Sequence, residues 1–315
     1  MQKTLVLRDL VRTHPVLHKG LISRNAKVIL YDIFTFSCMN CQRFWMFLKR
    51  LHTAYRKYGL ELVIIHPYEW MFEKDARNVK RALKGLNITN PVILDPQRKL
   101  IKELGINFWP AQILVKDGKI IYKHIGEGNY KQLELKIKRT LNIYKKRVKA
   151  PDRTALNSHK NKVIQSSLKK DLGILRAGKK SIFPTEPTYS KIPAVYCGKS
   201  KNKKVFCNDG LPKEFGVLHT SGACRQTDEC IISDGPNSCI SLKTKGNKVN
   251  VIAQAIGKKK SLLLARWSRG RKPREAKLRI STPKLYSIPN ASLKNGTLAI
   301  FAIRGKTAIY SFAFE

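Results

Sequence analysis

The sequence predicts two domains of different class: an α/β sandwich over residues 1–144 and an all-β sandwich over residues 187–315, joined by a basic linker over residues 145–186. Three observations lead there. The first half alternates short apolar runs with stretches of helical period, the pattern of strands and crossover helices. The second half shows only short alternating runs separated by Gly, Asn, Pro and Lys clusters. The chain has 315 residues and 43% hydrophobic content, enough for two cores.

In order, Val16-Leu17 and Leu21-Ile22 read as a small hairpin around Lys19-Gly20. Val28–Phe34, apolar but for Asp32, reads as a strand buried on both faces. A helix is expected from Cys38 to about Tyr58, because Phe44, Phe47, Leu48, Leu51 and Tyr55 share one face and Gly59 can end it. Leu60–His66 is the next strand, Glu73–Leu86 a charged surface helix, Pro91–Leu94 a short strand and Gln97–Leu104 a short helix. Ala111–Val115 and Lys119–His124 form a hairpin across Asp117-Gly118, and Tyr130–Ile143 closes the domain as an amphipathic helix.

In the linker, Asn161–Arg176 carries a weak helical pattern among lysines. Beyond it, Val249–Ile256, Leu262–Trp267, Lys277–Ile280, Lys284–Ile288, Thr297–Ile303 and Ala308–Phe314 read as strands. The aromatics of this half, among them Tyr196, Phe206, Trp267, Tyr286, Phe301, Tyr310, Phe312 and Phe314, fit a core or a sugar-stacking surface.

The net charge of +41 raises the question of a polyanion partner. Because the charge is spread over both halves and is densest between 145 and 180, a basic surface that keeps the protein solvated explains most of it. No apolar run is long enough to span a bilayer, and Met1–Asp9 meets charge after three apolar residues. The expectation is a protein without a transmembrane segment, cytoplasmic by default, with an extracytoplasmic location as the alternative.

The chemistry centres on Ser37-Cys38-Met39-Asn40-Cys41, directly after the first strand. A Cys-x-x-Cys at the amino end of a helix is a redox motif. The helix's unpaired N–H groups favour a thiolate at Cys38, and Cys41 lies nearly one turn deeper on the same face, within reach of a disulfide. Met39-Asn40 supplies no cation, so only a moderate lowering from the free value of about 8.5 is expected, which favours a reductant or exchange role. Asp32 sits inside an apolar strand, where a carboxylate is costly without a task. Buried behind the sulfurs, it would have a raised pKa and could take and return the proton of Cys41. Pro110 follows Trp109 at the start of a strand. A cis peptide there would set a backbone edge beside the sulfurs for an incoming peptide. Trp109 and Ala111 are candidate substrate contacts, although Trp109 reads equally well as packing.

Tyr31–Arg43, with its Ser-Cys-Met-Asn-Cys, resembles the active-site strand and helix start of thioredoxin-like proteins of the TlpA/DipZ type. His66–Asp75 resembles that family's insert, and Phe108-Trp109-Pro110-Ala111 and Gly126-Glu127-Gly128 resemble its later motifs. The resemblance implies a thioredoxin-like fold over about residues 10–143, with Cys38 attacking, Cys41 resolving, Asp32 accepting the proton and Pro110 cis. It also implies an acidic residue near the site at Glu69. More faintly, Thr282–Tyr286 and Ala308–Phe314 resemble the last strands of the jelly-roll-like β-sandwich that follows the redox domain in DipZ-type proteins.

Five further cysteines (Cys197, Cys207, Cys224, Cys230 and Cys239) lie in the second domain, and their spacing leaves two disulfides plus one thiol, reduced thiols, or a zinc site open. The function expected is a thiol–disulfide oxidoreductase needing no organic cofactor or metal. Its partners would be a disulfide-bearing protein and a reductase or other electron donor. The alternative is a basic module that binds glycan or polyanion through the second domain or the linker, with a non-catalytic disulfide.

Overall fold

The computed structural model describes residues 14–18, 26–143, 194–203, 205–207, 212, 214–268 and 273–314. The Lys19-Gly20 turn with its second arm Leu21-Ile22, the 145–186 linker and the helix expected at Asn161–Arg176 lie outside the described residues. By contact the chain forms two compact units: Met1–Tyr68 with Leu83–Pro187, and Glu69–Ala82 with Thr188–Glu315.

The first unit is built on one six-stranded sheet: β1 (Val16–His18), β2 (Val28–Ile33), β3 (Leu60–Pro67), β4 (Val92–Asp95), β5 (Ala111–Lys116) and β6 (Lys119–Ile125), in the order β1-β4-β3-β2-β5-β6. β2, β3 and β4 run parallel, as crossover helices require, and β1, β5 and β6 add antiparallel. β1 pairs with β4 at the sheet edge. β2 and β3 are central and almost wholly buried, which explains their continuous apolar sequence. One face packs Tyr31, Ile33, Val63, Ile65, Ile93 and Ile113 into a single core with Leu100 and Ile101.

Helix α1 spans Met39–Tyr55, and a 3-10 turn at Arg56–Tyr58 follows it. Gly59 then turns the chain at φ 103°, a left-handed angle that favours glycine. α1 buries the expected apolar stripe, including Phe44, Phe47, Leu48 and Leu51. Among the described residues the other α-helices are α2 (Ala76–Gly85), most of which groups with the second unit, α3 (Lys99–Glu103) and α4 (Tyr130–Thr140). Tyr130 of α4 stacks on Phe44 at 5.0 Å and meets Phe47 edge-on at 4.8 Å. The tight β5–β6 turn places Asp117 and Gly118 at φ 48° and 75°, the geometry that Asp-Gly favours.

The second unit is a region of twelve strands in two sheets among the described residues. One sheet runs β10 (Cys224–Gln226), β11 (Ile231–Asp234), β18 (Lys306–Phe314), β13 (Val249–Ile256), β16 (Lys284–Ile288), with β7 (Ala194–Tyr196) also paired to β18. The other runs β15 (Pro273–Ile280), β14 (Ser261–Ser268), β17 (Leu293–Arg304), β12 (Cys239–Gly246), β9 (Leu218–Ser221), β8 (Val205–Cys207). Both sheets feed one core, with Val251, Phe312 and Phe314 from the first and Leu263, Trp267 and Leu298 from the second. Trp267, Tyr310, Phe312 and Phe314 are buried, so they are not available for sugar stacking. Glu69–Ala82 groups with this unit although it lies in sequence directly after β3.

Among the described residues no helix is long and apolar enough to cross a membrane. No group of three or more His, Cys, Asp or Glu side chains among them could hold a metal ion.

Candidate active site

The site starts from strand β2. Its last residue, Ile33, is followed by the turn Phe34–Ser37, and Cys38 then caps α1 in extended conformation (φ −75°, ψ 115°). A non-helical cap residue has a side chain free to accept one of the helix's orphan N–H groups. Here the sulfur does so: the Cys41 N–H donates to Cys38 Sγ at 3.2 Å. Cys38 is partly exposed and Cys41 is fully buried. Cys38 is therefore the more exposed residue of the pair, and Cys41 lies three positions on in the same helical turn.

Burial pushes the Cys41 thiol well above its ordinary value, and the neighbouring Cys38 sulfur pushes in the same direction. A main-chain hydrogen bond from Thr35 opposes this, and the charge of Asp32 adds to it. Asp32 is wholly buried in β2, and loss of solvation raises its carboxyl to about 8. Directly opposite on β5, Gln112 donates from Nε2 to Asp32 Oδ1 at 3.2 Å, a partial offset. Asp32 Oδ2 has no hydrogen-bond partner among the described residues. The expected buried carboxylate thus acts on the buried Cys41, with one oxygen unengaged and a proton affinity within reach of neutral pH.

The Trp109–Pro110 peptide is cis, as expected. The Pro110 carbonyl accepts from the Gly126 N–H at 2.8 Å, which ties it to the Gly126-Glu127-Gly128 turn. Ala111 pairs with Ile33 at the end of β2, so the proline lies one residue beyond the strand that leads into the cysteine turn. Trp109 is partly buried against the core, with the Arg98 guanidinium 5.2 Å from its ring centre. Ala111 needs a correction. It is fully buried in the core between Ile33 and Ile113, so its side chain offers a substrate no surface.

Glu69 belongs to the second unit, where its Oε1 accepts from Lys201 Nζ at 3.1 Å and from Tyr196 OH at 3.5 Å. The structure therefore brings together Cys38, Cys41 and Asp32 and places Pro110 next to the strand that leads into the cysteine turn.

Sequence reasoning missed three supporting residues. His66, at the end of β3, is buried, and its Nε2 accepts the Phe36 N–H at 3.3 Å while the two rings stack at 5.7 Å. Burial lowers its pKa to about 4, so the ring stays neutral and keeps that lone pair for the turn before Cys38. Arg43, one helical turn into α1, forms a two-pronged pair with Glu127 (2.8 and 2.6 Å) and also bonds Asn40 Oδ1 at 2.7 Å. Gln112 is the third. A polar residue inside an apolar strand, as at His66 and Gln112, was the available signal.

Residues 18–137 match the Redoxin family, which is under half of the chain. Protein DipZ of Mycobacterium tuberculosis is 33% identical over 130 residues, covering 41% of this chain and 19% of that protein. NHL repeat-containing protein 2 of Bos taurus is 36% identical over 123 residues, covering 38% of this chain and 17% of the relative. Thiol-disulfide oxidoreductase ResA of Bacillus cereus is 29% identical over 98 residues, covering 31% of this chain and 54% of ResA. The chain thus spans about a fifth of the length of DipZ.

Proposed function

With residues 18–137 forming a thioredoxin-like domain of the TlpA/DipZ type, we propose that the chain exchanges thiols and disulfides through Cys38 and Cys41. The observation that carries this reading is the pair itself: a partly exposed cysteine at a helix cap, and a buried one whose N–H donates to the first one's sulfur at 3.2 Å.

The thiolate form of Cys38 attacks one sulfur of a substrate disulfide. A Cys38–substrate bond forms, the substrate S–S bond breaks, and one substrate thiolate leaves. Cys41 then gives its proton to the Asp32 carboxylate and attacks the Cys38 sulfur. The mixed disulfide breaks and the second substrate thiolate leaves. The substrate gains two electrons and two protons, one of them the proton held by Asp32, and Cys38–Cys41 becomes the disulfide. A dithiol electron donor reverses that state. Asp32 suits the middle step because a carboxyl raised to about 8 can hold or release a proton near neutrality, whereas an ordinary one is already ionised there. Trp109 and cis-Pro110 form the flank against which a substrate peptide lies.

Reduction of insulin by dithiothreitol tests the reading. The wild-type chain is expected to accelerate it, and Cys38→Ser to lose the acceleration. An unchanged rate in Cys38→Ser, or none in the wild type, rejects it.

A further inference from the structure

The edge of β18 that faces away from β13 carries two strands end to end. β11 pairs with its first part (Ile231↔Ile309) and β7 with its last (Tyr196↔Ser311). Both registers run out at Tyr310. Cys197 follows β7, and its N–H donates to the Tyr310 carbonyl at 2.9 Å. Cys230 precedes β11, so the same register carries it to Tyr310 from the other side. Two cysteines 33 positions apart therefore meet at one rung.

The surrounding backbone is closely matched. A side chain at Gly198 would come within 2.2 Å of the Asp228 carbonyl and 2.4 Å of Glu229 Cα. The Lys199 N–H donates to Thr227 O at 2.8 Å, the Ser200 N–H to Asp228 O at 3.1 Å, and Gln226 Nε2 to Cys197 O at 2.9 Å. Both sulfurs are buried. Ionisation of Cys197 is opposed first by burial and then by the charge of Cys230, as closeness requires. The other three cysteines gather elsewhere, around β9: Cys207 lies opposite Thr220, Cys239 opposite Ser221, and Cys224 Sγ is 3.6 Å from Cys239 O.

We propose that Cys197 and Cys230 are a disulfide-forming pair that staples the segments before β8 and before β11, distinct from the Cys207, Cys224 and Cys239 group. Both are free thiols in this structure. The oxidant is a low-molecular-weight disulfide. The thiolate of one cysteine displaces one half of it, and the other cysteine then displaces the second half. The oxidant gains two electrons and two protons and the pair loses them. The pairing does not depend on exchange at Cys38. The stapled segments also hold Glu69–Phe72: Lys201 Nζ bonds Glu69, the Glu229 carboxylate accepts the Met71 N–H, and Trp70 and Phe72 pack on Tyr310.

The test is oxidation of the full chain by oxidised glutathione, acid quenching, alkylation and digestion with trypsin and Asp-N. Trypsin releases Cys197 at Lys199 and Cys224 at Arg225, and Asp-N cuts before Asp234 to separate Cys230 from Cys239. A cross-linked peptide joining Cys197 to Cys230 is expected, with Cys230 alkylated in Cys197→Ser. Alkylation of both in wild type under conditions that oxidise Cys38–Cys41, or a link from Cys197 to Cys207, Cys224 or Cys239, overturns the pairing. The wild-type result stands even where a variant fails to fold.

Discussion

Asp32 shows what a single residue contributes. Its folded pKa of about 8 lies far above the unfolded value of about 3.9. Between those values the folded chain holds a proton that the unfolded chain has released, so stability falls as pH rises through that window. Asp32→Asn removes this dependence. The variant is expected to unfold at higher urea than wild type at pH 8, with the gap closing toward pH 4. Parallel pH profiles would mean that Asp32 ionises normally. His66 gives a second case. Loss of its ring leaves the Phe36 N–H without its acceptor, and His66→Ala is expected to cost roughly 1–3 kcal/mol in denaturant unfolding. A loss under about 0.5 kcal/mol would show that the bond matters little. Asp32 was legible in the sequence because a charge interrupts a doubly buried strand. Gln112 and the His66–Phe36 contact were not, because their partners are 80 and 30 residues away. Glu69 was carried over by likeness alone, and the structure gives it partners in the second unit.

At the scale of elements, helix α1 was the most readable piece. Its apolar spacing, its cysteine cap and its Gly59 stop are all local signals, and each is met. Its tie to the Gly126–Gly128 turn is not local. Arg43 reaches Glu127, whose side chain is 1% exposed, across 84 residues. Arg43→Met takes the cation from a buried carboxylate that Tyr130 OH also bonds and is expected to cost roughly 3 kcal/mol, whereas Arg43→Met with Glu127→Leu should recover much of that loss. A double variant as unstable as the sum of the two singles would show that the pair is uncoupled. Most strand edges were off by a residue or two and the starts of β15 and β17 by four, because hydrogen bonds extend pairing past the apolar run.

Across the whole molecule, the order of the first unit and the six later strands of the second followed from periodicity. β7 to β12 did not. Five of the six are three or four residues long, and Cys, Ser, Thr and Asp dilute their alternation. Glu73–Leu86 reads as a charged surface helix, yet just before it Trp70 and Phe72 pack on Tyr196 and Tyr310, contacts more than 120 positions away that no local pattern encodes. What unites these scales is the proposed division of labour between the partly exposed Cys38 and the buried Cys41. Mixed-disulfide trapping tests it most directly: Cys41→Ser and Cys38→Ser are each mixed with a disulfide-bonded peptide and analysed by intact mass. The account predicts that Cys41→Ser accumulates a peptide adduct on Cys38 while Cys38→Ser carries none. Equal adducts on both, or an adduct only in Cys38→Ser, would contradict it.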